Sequence, residues 1–141
     1  MIGAGHVGRC LALAQEFQER GHHCIFAAIE LGGLRERIAA EGFELVDVPS
    51  TAGGLEDGAF TARLCGDLGA SWLIADGYSC GEDFQRALKK TKVKTLLLDD
   101  YGQLGAWQAE IVLDQNLGAG KEQYSNISSS TQLLLGSNYV L

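Results

Sequence analysis

Helix-like and strand-like patterns alternate from one end of this chain to the other, and that alternation constrains the fold more than any other feature. Residues 8–20 carry Cys10, Leu11, Ala14 and Phe17 at helical spacing, and Gly21 follows as a stop. Residues 24–29 then read as a buried strand, 34–40 as a short helix ended by Gly42, and 43–48 as the next strand, closed by Pro49. A looser helix over 55–68 leads to a strand over 72–75. A helix over 82–90 precedes the aliphatic strand 93–98, and short strands over 111–113 and 132–135 complete the set. The run at 93–98 is of the kind buried on both faces of a sheet. Strands separated by helices in this order predict an α/β fold, a doubly wound and mostly parallel sheet covered by helices on both faces. Residues 117–131, rich in Ser, Gly and Asn, carry no periodic pattern.

The 141 residues fit a single domain spanning 1–141, with neither an internal repeat nor a linker-like tract. A net charge of -7 would repel nucleic acid and anionic lipid, so neither is an expected partner. Cys10, Cys24, Cys65 and Cys80 stand far apart without a Cys-x-x-Cys pair and read as reduced, packed thiols, neither disulfides nor metal ligands. No apolar run approaches the ~20 residues of a membrane span and no signal-peptide pattern is seen, which predicts a cytoplasmic protein.

The segment Gly3-Ala4-Gly5-His6-Val7-Gly8 satisfies G-x-G-x-x-G and opens a helix, where free amides and the positive dipole end suit phosphate. Glu30 follows the next strand, at the position where a Rossmann dinucleotide fold places its ribose-binding acid, so NAD is one candidate ligand. An imidazole at a helix start is favoured in its neutral form, and neutral imidazole can accept a proton. His6 therefore reads either as a general base or as a loop residue at a tolerant position of the fingerprint.

The run Ile2-Gly3-Ala4-Gly5-His6-Val7-Gly8-Arg9-Cys10-Leu11-Ala12-Leu13-Ala14 resembles the opening signature of the UDP-sugar hydrolases of pseudaminic acid biosynthesis. Further similar motifs follow in order: Asp76-Gly77-Tyr78, Leu98-Asp99-Asp100, Leu113-Asp114-Gln115-Asn116, and the tail from Tyr124 to Leu141. Each motif is weak alone, but the ordered set argues against a dehydrogenase. The resemblance implies the first, Rossmann-like domain of a glycosyltransferase-B architecture that hydrolyses a UDP-linked diacetamido-trideoxy sugar without cofactor or metal. A transferase of the same architecture, or a non-catalytic nucleotide-binding module, is the alternative.

By the same resemblance, His6 would activate the attacking water. Gly3, Gly5 and Arg9 would lie at the phosphate end of the substrate, although Arg9 reads equally as half of a helix-surface ion pair. Asp76 and Tyr78 would position the substrate or hold the imidazole by a hydrogen bond, and Asp100 and Asn116 would meet the sugar. Of Asp99 and Asp100, one is expected to face the ligand while the other caps local backbone. His22 and His23 read as exposed turn residues.

The expected partners are the UDP-linked sugar and a second, nucleotide-binding domain absent from this chain; a homo-oligomer is also compatible. This chain alone is accordingly expected to be inactive. The family also begins with a strand before Gly3, where this chain has only Met1 and Ile2. That strand would be central, so an unpaired slot is expected between the strands near Cys24 and Trp72.

Overall fold

The structure, a computed structural model, describes residues 3–49 and 51–141. Met1 and Ile2, which bear on the expected missing strand, lie outside the described residues. The chain divides into two compact units, one formed by residues up to Pro49 and the other by Thr51–Val140.

In the first unit, helix α1 (Ala4–Glu19) leads to strand β1 (Ile25–Ala28), helix α2 (Leu34–Ala40) and strand β2 (Glu44–Asp47). The two strands pair in parallel from Ile25↔Glu44 to Ala28↔Asp47. Helix α1 begins one turn earlier than its apolar spacing predicts, because Val7 joins Leu11 and Ala14 on the buried face. Cys10 and Phe17, expected on that face, are only partly buried. Val7, Leu11, Ala14, Leu31, Ile38 and Phe43 make the core, and the Phe26 and Phe43 rings meet at 5.3 Å between centroids. Gly21 and Gly42, both at positive φ, end α1 and α2 as the sequence predicts.

The second unit runs α3 (Leu55–Asp67), β3 (Trp72–Asp76), α4 (Glu82–Leu88), β4 (Lys94–Leu98), β5 (Ile111–Asp114) and β6 (Gln132–Leu135). Its four strands form one parallel sheet in sequence order, with Asp76 opposite Leu98, Leu98 opposite Leu113, and Asp114 opposite Leu135. Leu97 and Val112 are fully buried, which explains why these strands read as continuous aliphatic runs. Helices α3 and α4 approach closely at Gly58, where a Cβ would come within 2.9 Å of both the Ala87 Cβ and the Phe84 carbonyl oxygen. The core joins Phe84 and Leu88 of α4 to Leu97, Val112, Trp107 and Tyr124.

The fold is thus Rossmann-like α/β with parallel strands, in a two-stranded and a four-stranded sheet. β1 pairs only with β2 and β3 only with β4, so each keeps one edge without a strand partner among the described residues. Among the described residues, no helix is long and apolar enough to cross a membrane.

Candidate functional site

The carboxyl ends of parallel strands lie on one edge of their sheet, so the four-stranded sheet gathers the residues following β3, β4 and β5. Three of the sequence-selected residues meet there. The Tyr78 hydroxyl donates to Asp100 Oδ2 at 3.3 Å, and Asn116 Nδ2 donates to both the carbonyl and Oδ1 of Asp100 at 3.2 Å. Tyr101, which sequence reasoning passed over, stacks on Tyr78 at 5.9 Å between centroids. Both rings are exposed, at 63% for Tyr78 and 59% for Tyr101, so the network offers an aromatic face beside a carboxylate and an amide. Loss of hydration, and then the adjacent Asp100 carboxylate, raise the Tyr78 hydroxyl above its ordinary pKa and keep it a donor. Asp76 is the last residue of β3, at the same edge.

Beneath this exposed cluster lies a buried one that the sequence did not disclose. Asp114 is fully buried and Asp99 nearly so, and the Tyr124 hydroxyl lies 2.8 Å from Asp114 Oδ2 and 3.0 Å from Asp99 Oδ2. Asp99 Oδ2 also accepts the backbone N–H groups of Tyr101 at 3.0 Å and Gly102 at 2.5 Å, and Asp114 Oδ1 accepts that of Asn116 at 2.9 Å. The buried carboxylates therefore fix the loops that carry Asp100, Tyr101 and Asn116. Gly102 is required in its loop: its φ is +66°, and a Cβ would come 2.5 Å from the Gln123 carbonyl. Burial, followed by the hydrogen bond to Asp114, pushes the Tyr124 hydroxyl far above its ordinary range. The division expected of the neighbouring acids takes a definite form: Asp99 caps backbone and Asp100 meets Tyr78 and Asn116.

Gln85 braces the same end of the unit. Its side chain, 2% exposed, donates to the carbonyls of Cys80 at 2.9 Å and Ala106 at 3.2 Å and accepts the Gln108 N–H at 2.7 Å. A lone Gln in a helical pattern gives no sequence signal for such a brace.

Cys80 closes the turn after β3, its N–H bonded to the Gly77 carbonyl at 3.1 Å. Burial, and then the carboxylates of Asp57 and Asp76, push its thiol from 9.0 up to about 12. The folded value lies above the unfolded one, so the stabilisation from the neutral thiol is complete below pH 9 and disappears as pH rises towards 12. In urea titrations the native chain is expected to lose stability more steeply than Cys80→Ala between about pH 9 and 12. Parallel curves would contradict this.

In the first unit, Gly3 is the N-cap of α1 and offers no side-chain cap, so the opening amides of the helix are not satisfied by a capping side chain. His6, partly buried in the first turn, lies 3.1 Å through Nδ1 from the Arg9 guanidinium. Arg9 is only 9% exposed. Gly3 and Gly5 are exposed. Glu30 is exposed with a left-handed φ of 49°. His22 is an exposed turn residue whose ring meets Phe17 edge-on, and His23 is exposed as well. The cysteines are free thiols, and among the described residues no three His, Cys, Asp or Glu side chains converge as metal ligands would.

No protein-family model matches the chain, and comparison with curated proteins finds no similar sequence.

Proposed function

We propose that the chain contributes to a hydrolase that releases a diacetamido-trideoxy sugar from UDP, as the first domain of a glycosyltransferase-B architecture. The observation that carries this reading is the exposed network of Tyr78, Asp100, Asn116 and Tyr101 at the carboxyl edge of a parallel sheet. A carboxylate and an amide suit sugar hydroxyl and acetamido groups, and an aromatic face suits the apolar side of a pyranose ring.

In the reaction, a water oxygen bonds to the anomeric carbon while the bond from that carbon to the diphosphate oxygen breaks. UDP departs with the electron pair, and His6 takes the proton from the water. Amides at the start of α1 and the Arg9 guanidinium supply donors suited to the developing phosphate charge. Strict dependence on an acceptor hydroxyl, instead of water, would identify a transferase.

The test is UDP release from the sugar nucleotide by a protein carrying both domains of this architecture. Loss of a general base costs about 10²–10⁴-fold, so His6→Ala is expected to fall in that range. Activity within about threefold of the native protein would remove His6 from the mechanism.

A further inference from the structure

The contact between Arg9 and His6 has a direction, because a guanidinium carries only donors. With the Arg9 terminal nitrogen 3.1 Å from His6 Nδ1, that ring nitrogen must be the acceptor. A neutral imidazole has one N–H, and its place is then Nε2. We infer that Arg9 is a positioning residue that holds His6 in the Nε2–H tautomer, so the ring as it stands donates a hydrogen bond and cannot take up a proton.

The consequence for chemistry deepens the hydrolase reading and rests on it. A ring whose Nδ1 lone pair is occupied by Arg9 and whose Nε2 is protonated has no site for the proton of an attacking water. His6 becomes a base only after the guanidinium leaves Nδ1. Phosphate oxygens accept from guanidinium in charge-assisted, often bidentate pairs that are stronger than a bond to neutral imidazole. Diphosphate is therefore the class of ligand that would draw Arg9 away and leave His6 able to accept a proton. Such coupling would confine base catalysis to the loaded state.

Arg9 is buried at the first turns of α1, on the helix that also carries the core residues Val7 and Leu11. It stands three residues after His6, so the two side chains are neighbours on one side of α1 and the contact follows from the local geometry of the helix.

The test is nitrogen NMR of the His6 ring in the full chain, which separates a protonated from an unprotonated Nδ1. The native chain is expected to show Nδ1 unprotonated and Nε2 protonated. Arg9→Lys, which keeps a donor, is expected to preserve that pattern, and Arg9→Met to populate both tautomers. Acylation by diethyl pyrocarbonate needs a free ring lone pair, so the His6 rate is expected to rise about tenfold in Arg9→Met, in proportion to the competent fraction. A protonated Nδ1 in the native chain would overturn the inference whether or not either variant folds. Unchanged ring signals in a folded Arg9→Met would overturn it too. Inorganic pyrophosphate is the probe for release: it is expected to shift the Arg9 side-chain signals together with His6 Nδ1, and a silent titration would refute the release step. None of these readings needs turnover, so failure of the hydrolase reading leaves the tautomer result in force.

Discussion

Tyr124→Phe is expected to destabilise the unit Thr51–Val140 by about 2–4 kcal/mol, the range for removing a donor shared by buried charged acceptors. One phenolic hydroxyl lies within 3.0 Å of a carboxylate oxygen from each of Asp99 and Asp114. Without it, two acidic groups in the interior face each other with no donor between them, and like charges at short range in low dielectric repel strongly. The ring itself is retained, so packing against Trp107, at 5.0 Å between centroids, changes little. Asp114→Asn in the Tyr124→Phe background removes one charge and supplies amide donors, and is expected to recover part of the loss. Urea unfolding followed through tryptophan fluorescence is a suitable measurement, since Trp107 is 1% exposed. A change below about 0.5 kcal/mol would place the phenol outside the set of groups that hold this edge together.

Gln85→Leu keeps the volume of a buried side chain and deletes its hydrogen bonds to the backbone of Cys80, Ala106 and Gln108. Those groups are partly buried, and each unsatisfied one costs about 1–3 kcal/mol less whatever water recovers, so a loss of about 2–4 kcal/mol is expected. The effect should also reach the exposed network, because the Cys80 loop follows directly on Tyr78 and Gln85 ties it to the loop before Trp107. Broadened Tyr78 and Tyr101 ring signals in Gln85→Leu would display that loosening. Native-like stability in urea would contradict the bracing role.

Much of the fold was legible because it follows from local rules. The helix at Leu34–Ala40 and the strand at Gln132–Leu135 fall where the pattern puts them, bounded by Gly42 in one case and by Gly136 in the other. The apolar spacing alone starts α1 at residue 8, whereas the glycine motif marks the opening of the helix, and the structure begins it at Ala4 after the N-cap Gly3, with Val7 buried in its first turn. The expected gap has its counterpart in the open edges, since β1 and β3 each keep one edge without a strand partner among the described residues.

The exposed half of the candidate site was legible as well. Tyr78, Asp100 and Asn116 were placed after strands by pattern and brought together by parallel pairing. The buried half was not. Asp114 sits at the end of a strand like the residues around it, and only the meeting of Tyr124 with two separated acids shows that it is structural. Tyr124 lies in a stretch without periodicity, where sequence carries no information about which side chains turn inward. The direction of the contact between Arg9 and His6 was likewise out of reach, because spacing three apart on a helix says that two side chains are neighbours but not which atoms meet.

Binding of a UDP-linked diacetamido sugar can be read directly by NMR titration of the chain, with NADH as the contrasting ligand. Saturable shifts at Tyr78, Asp100 and Asn116 with the sugar nucleotide, and none there with NADH, are the predicted result. Saturable NADH binding that weakens when Glu30 is neutralised, with those three residues unmoved by the sugar nucleotide, would contradict it.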